Sequence, residues 1–130
     1  MKSLLVVAHG SRRQESNHEV RQVVGQLRAL ESQYDRVDCA FLELAEPSIP
    51  DGLRNLIEVG SEDIVVLPYF LSAGRHVTTD IPNDADIVRK EHPAVSIYIA
   101  PYLGAAPGIE RILLSQADVT PVTICPAVVP

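Results

Sequence analysis

Short apolar runs alternate four times with segments of helical periodicity along this chain, and that order leaves few folds open. The runs are 3–8, Val37–Leu44, Ile64–Leu67 and Val95–Ala100. They are brief, aliphatic and almost continuous, as strands buried on both faces are. Helical segments follow each of them, over about Gln14–Gln33, from Ser48 to Gly60, from Thr79 to about Glu91, and over about Gly108–Gln116. Strand–helix–strand order implies βαβ units, a parallel sheet and right-handed crossovers. We therefore expect one doubly wound α/β domain: a four-stranded, mainly parallel sheet with helices on both faces.

Local chemistry supports the elements. The first helix places Val20, Val23, Val24, Leu27 and Leu30 on one stripe, with Arg21, Gln22, Arg28 and Glu31 opposite. The second has Ser48 as N-cap, Pro50 in its first turn and Asp51 three residues after the serine. It turns Leu53, Leu56 and Ile57 inward and stops at Gly60. Thr79-Asp80-Ile81-Pro82 opens the third, and Pro93 closes it, because a residue before proline avoids helical angles. The connection from Pro68 to Thr78 is too apolar for a plain solvent loop, so Tyr69, Phe70 and Leu71 are candidates to line a pocket. Residues 118–130 hold three prolines and are weakly specified. An edge strand around Val122–Ile124, a simple tail and a short excursion at a partner surface are all compatible with them. No linker or repeat divides the chain, so 1–117 and this end form one domain.

Composition excludes several function classes. A chain of 130 residues fits a single domain. Lys and Arg number 11 against 17 Asp and Glu, a net charge of −6 with no basic stripe, so no general nucleic-acid binding is expected. An anionic substrate would need a local cluster of arginines against that field. No segment approaches the roughly 20 apolar residues of a membrane span. Met1-Lys2-Ser3 runs into strand-like sequence without signal-peptide features, which reads as cytoplasmic. Cys39 and Cys125 share no CxxC spacing, so neither a zinc knuckle nor an iron–sulfur cluster is indicated, and both read as reduced thiols.

Two histidines follow apolar runs closely. His9 opens His9-Gly10-Ser11-Arg12-Arg13, and His76 ends Ser72-Ala73-Gly74-Arg75-His76. In open α/β sheets, ligands bind at the carboxyl ends of the strands. Two imidazoles brought to one crevice can hold a first-row metal ion or move protons. A helix N-terminus disfavours the imidazolium, and His76 is expected beside one. Taken singly, His9 is equally a solvent-facing turn histidine. Glu43, at the end of the second run, would complete a two-His, one-carboxylate set, although it or Glu46 also suits a charged rim. Arg12, Arg13 and Arg75 are candidate carboxylate binders or ordinary surface charges. His18 and His92 read as structural.

Four stretches are similar to the CbiX-type sirohydrochlorin chelatases, relatives of the class II tetrapyrrole chelatases. They are Val7-Ala8-His9-Gly10-Ser11-Arg12, Phe41-Leu42-Glu43-Leu44-Ala45-Glu46-Pro47-Ser48-Ile49, Leu67 through Val77 continuing to Asp80-Ile81-Pro82, and more weakly Ala100-Pro101-Tyr102-Leu103-Gly104. The resemblance implies a chelatase-like fold and a lyase that inserts a divalent metal into sirohydrochlorin, on the route to cobalamin or sirohaem. Cobalt comes first, with nickel and iron as alternatives; the metal is a substrate, and no organic cofactor is required. By position, His9 and His76 carry over as metal-binding and catalytic residues, with Glu43 as a further catalytic group. Tyr69, Phe70, Leu71 and Ser72 would face the macrocycle, and Arg12, Arg13 and Arg75 its carboxylates. Longer members hold two such halves, so this chain resembles the short form and the resemblance implies a homodimer. The histidine-rich run and cysteine cluster of some relatives are missing, so a metal store or redox centre is unsupported. The segment after Ser115 matches nothing. Two other readings remain: a non-catalytic metal or tetrapyrrole carrier, and a histidine-dependent phosphoryl-transfer enzyme. The latter would want an arginine where Ala8 stands.

Overall fold

A computed structural model describes residues 1–118. Strands β1 (Lys2–Ala8), β2 (Arg36–Phe41), β3 (Asp63–Pro68) and β4 (Ser96–Ile99) form one sheet in the order β2-β1-β3-β4. Every pairing is parallel, so the sheet is parallel throughout rather than mainly so. The expected strand around Val122–Ile124, Cys125 and most of the weakly specified end lie outside the described residues.

Helices α1 (Gln14–Ala29), α2 (Ile49–Glu58), α3 (Ile81–Glu91) and α4 (Ile109–Ala117) follow β1, β2, β3 and β4 in turn. Alternate side chains of β1 feed two cores, as the two-residue strand period requires. Leu5 and Val7 pack with Ile49, Leu53 and Leu56 of α2 and with Ile81, Ala85 and Val88 of α3. Val6 packs with Val24 of α1 on the other face. After β2 the chain crosses to the far side of β1, so its direction reverses between β1 and β3. Such a switch point opens a crevice at the carboxyl ends of the two strands.

The caps of α2 match their expected chemistry. Ser48 Oγ accepts the Asp51 N–H at 3.2 Å, and Gly60 follows the helix with φ +107°. Other boundaries move. α1 ends at Ala29, and Leu30, expected on the buried stripe, is 66% exposed. The chain must turn back there to start β2. Gln33 accepts from the Lys2 ammonium, while Asp35 and Lys2 exchange hydrogen bonds, and these tether the return. Arg21 does not face solvent as expected. It lies over the Phe41 ring at 5.3 Å and donates to Glu46 O. β2 stops at Phe41 because Leu44 turns the chain with φ +65°.

The two faces are covered unequally. Tyr98 of β4 is 58% exposed, and α4 leaves Ile112, Leu113 and Leu114 each more than half exposed. Among the described residues no helix is long and apolar enough to cross a membrane.

Candidate active site

β1 and β3, neighbours at the switch point, deliver His9 and His76 to the same end of the sheet. The two imidazoles meet edge to face, with ring centroids 4.7 Å apart and planes at 73°. Glu43, from the end of β2, brings its Oε2 to 3.4 Å from His9 Nε2. Each imidazole side chain is 44% exposed, so the group is open to a ligand.

Main-chain contacts place the first two members. The Leu42 N–H donates to Ala8 O and the Glu43 N–H to His9 O, extending the β1–β2 ladder past the strands. Gly10 is pressed against that extension. Its φ is +93°, and a Cβ there would lie 1.8 Å from Glu43 O, so only glycine fits. The next residue is held by Asn17, whose Oδ1 accepts the Ser11 N–H at 3.0 Å while its Nδ2 donates to Ser11 O at 2.8 Å. Asn17 is buried on the inner stripe of α1.

His76 stands on a different support. It opens a π-helical turn, His76–Asp80, whose wide ring closes when the Ile81 N–H donates to His76 O. π-turns of this kind are rare and recur at functional sites. The turn places Asp80 beside His76, with Nδ1 to Oδ2 at 2.8 Å. Helical structure thus begins at His76, ahead of the expected start at Thr79. The preceding loop is anchored at its start: the Tyr69 N–H donates to Val7 O and the Gly104 N–H to Phe70 O. Gly104 comes so close to Leu71 O that a Cβ would lie 1.9 Å from it.

The remaining candidates divide. Phe70 packs against the core and lies 6.5 Å from the His76 ring, centroid to centroid. Its neighbours Tyr69, Leu71 and Ser72 are exposed. The three apolar residues therefore share no single face, because extended backbone alternates its side chains. Arg12, Arg13 and Arg75 are exposed; Arg13 comes within 4.0 Å of Glu15. His18 is exposed on α1, and His92 caps the end of α3.

Hydrogen-bond partners determine which ring nitrogens are available. A carboxylate only accepts, so the proton on His76 Nδ1 points to Asp80 and Nε2 is left free. His9 Nδ1 faces Gly10 O at 3.0 Å, another acceptor, and its Nε2 faces Glu43 Oε2 at 3.4 Å. In the neutral ring that Nε2 lone pair confronts the Glu43 carboxylate, and a proton or a cation between them satisfies both. Among the described residues no three His, Cys, Asp or Glu side chains converge to hold a metal ion together; the groups meet two at a time. A hollow of about 310 Å³ adjoins them, lined by Leu42, Glu43, His76, Asp80, Asn83 and Asp84. Burial, and then the Asp80 carboxylate, push the Asp84 carboxyl above its ordinary value. Asp80 and Asn17 were not recognisable as site residues from composition or strand ends. Both had a signal, however: Asp80 stands four residues after His76, and Asn17 is a polar residue in register with the apolar stripe Val20, Val24 and Leu27.

Known proteins resemble this chain along most of its length. The CbiX family model matches residues 3–120. A chloroplastic sirohydrochlorin ferrochelatase of Arabidopsis thaliana is 40% identical over 101 residues, which cover 78% of this chain and 44% of the plant protein. A sirohydrochlorin cobaltochelatase of Sulfolobus acidocaldarius is 32% identical over 118 residues, 91% of each chain. Among solved structures, the sirohydrochlorin chelatase SirB of Bacillus subtilis subspecies spizizenii, in complex with cobalt, superposes with a TM-score of 0.80 at 25% identity. That match covers 89% of this chain and 49% of SirB. The chain thus spans about half the length of several relatives and nearly all of the Sulfolobus one.

Proposed function

The chain belongs to the CbiX family, and from that premise we propose that it is a sirohydrochlorin chelatase that inserts a divalent metal, cobalt first among cobalt, nickel and iron. The observation that carries this reading is the meeting of His9, His76 and Glu43 at the β1–β3 switch point, with the imidazoles 4.7 Å apart and Glu43 Oε2 3.4 Å from His9. Relatives named for cobalt and for iron insertion support the reaction class.

Metallation removes two protons from ring nitrogens and delivers M²⁺ in their place. His76 presents its Nε2 to the metal, and His9 presents an Nε2 that it shares with Glu43. Ligands that meet only in pairs hold it weakly, as the reaction needs, since a closed four-ligand site would trap the ion. As the macrocycle's nitrogens displace the imidazoles, Glu43 or a freed histidine accepts the ring protons. Tyr69, Leu71 and Ser72 lie exposed where the flat macrocycle would rest, with Phe70 backing His76. Arg12, Arg13 and Arg75 would pair with its carboxylates, for which guanidinium forks are suited. A second copy is proposed to complete the cleft. Relatives about twice as long, and the exposed apolar residues of α4 and β4, support this.

The test is purified protein mixed with sirohydrochlorin and Co²⁺, Ni²⁺ or Fe²⁺ in parallel, followed by the absorbance of the macrocycle. The expected result is metal insertion faster than the protein-free reaction, greatest with Co²⁺. Binding of the macrocycle with no acceleration for any metal would reduce the protein to a carrier and end the proposal.

A further inference from the structure

His9 and His76 are oriented by different partners: the carbonyl of an adjacent residue for His9, and a carboxylate for His76. We propose that Asp80 is a positioning residue that fixes the His76 ring with its proton on Nδ1 and its metal-binding lone pair on Nε2, making His76 the firmer of the two metal-holding histidines. This rests on the reading of His76 as a metal ligand.

The geometry points one way. The Nδ1–Oδ2 separation of 2.8 Å is that of a charge-assisted hydrogen bond. A carboxylate that accepts from the far nitrogen of a ligating imidazole sets the tautomer, holds the ring plane and makes the other nitrogen a better electron-pair donor. The helical turn carries both residues, four apart, on one side, which brings the carboxylate to the ring. Ring rotation is also limited by Phe70 and by the His9 ring, which lies edge to face with His76. His9 has no carboxylate on its Nδ1; Glu43 approaches its Nε2 instead. An incoming ion therefore finds one imidazole held ready on Nε2 and another whose Nε2 is shared with a carboxylate.

Asp80 borders the hollow, and its carboxylate accepts from His76, through which it acts. Its removal should alter the imidazole before it alters the fold, because the carboxylate is partly exposed and holds up no core residue.

The test uses Asp80→Ala, Asp80→Asn and His76→Ala in the full chain. In protein carrying ¹⁵N-labelled histidine, at a pH well above histidine's ordinary value of about 6.5, the ring shifts of wild type should report one tautomer at His76 with Nε2 unprotonated. Asp80→Ala should give a mixture of tautomers, and Asp80→Asn, whose amide oxygen still accepts, should restore the single form. Titration with Co²⁺ alone, read by its absorption bands, should show affinity weakened about 10–100-fold in Asp80→Ala and by less in Asp80→Asn, with thermal midpoints unchanged. An unaltered tautomer and Co²⁺ affinity in Asp80→Ala would overturn the role of Asp80 while leaving His76 as a ligand. Undiminished Co²⁺ binding in His76→Ala would instead remove the reading beneath it.

Discussion

The segments that carry the two histidines are built by opposite means. The His9 segment is locked by the body of the protein: glycine against the Glu43 carbonyl, a buried asparagine bracketing Ser11, and a ladder bond from Glu43 to His9 itself. In the His76 segment, Leu71 through Arg75 are all exposed. It is pinned where it leaves β3, and its histidine is aimed by a side chain on the same helical turn. One histidine thus belongs to a rigid wall and the other to a partly independent arm. Under the proposed function, a site that accepts an ion and then surrenders it to a ring gains from that division. The wall keeps the reacting geometry, and the arm can yield without disturbing the core.

The sharpest way to break the comparison is to remove each imidazole. His9→Ala and His76→Ala should each lower the rate of metal insertion by about 10²–10⁴-fold, with thermal midpoints close to wild type, since both rings are partly exposed. Normal turnover in either variant would show that the two arms are not equally needed. Next in size comes a glycine in each segment. Gly10→Ala meets both a positive φ and the Glu43 carbonyl, and should cost about 2–5 kcal/mol of stability in denaturant unfolding. Gly74→Ala meets nothing within 4 Å and should stay within about 0.5 kcal/mol of wild type. Equal costs would refute the contrast between wall and arm.

Asn17→Ala sharpens the account of the wall. It leaves the Ser11 N–H and C=O without their partners and should cost about 1–3 kcal/mol in denaturant unfolding. A variant as stable as wild type would mean that water replaces the amide at no cost. The smallest effect is expected at Asp84, on the His76 side. Its carboxyl is held above the ordinary value, first by burial and then by Asp80. The unfolded chain therefore loses that proton at lower pH than the folded one, and stability falls as pH rises through the carboxylate range. Asp84→Asn removes this cost, so its gain in thermal midpoint should grow from acid to neutral pH. A gain that is the same at both ends would disprove the sign.

Much of the wall was legible in the amino-acid order. Alternating runs indicated the parallel sheet, and Ser48, Pro50 and Gly60 marked α2 through contacts within a few residues. His9, His76 and Glu43 were recognisable because each lies at or just beyond the end of an apolar run. What escaped depends on distant partners or on an unusual turn. Leu30 has the spacing of a core residue but lies past the point where α1 must release the chain to β2. Arg21 reads as a surface charge until the Phe41 ring is found beneath it. The π-turn has no distinct periodicity, so the helical start at His76 stayed hidden, and without it the four-residue spacing of His76 and Asp80 could not be read as a pairing.

The sequence by itself determined the doubly wound α/β class and the strand ends from which a site would be drawn, because hydrophobic period and capping are local properties. Only the tertiary structure decided that β1 and β3 are neighbours, and so that two histidines 67 positions apart stand with their rings 4.7 Å from each other. Strand order is set by which faces find cover. That is a matter of packing among residues far apart along the chain, and no window of neighbouring residues contains it.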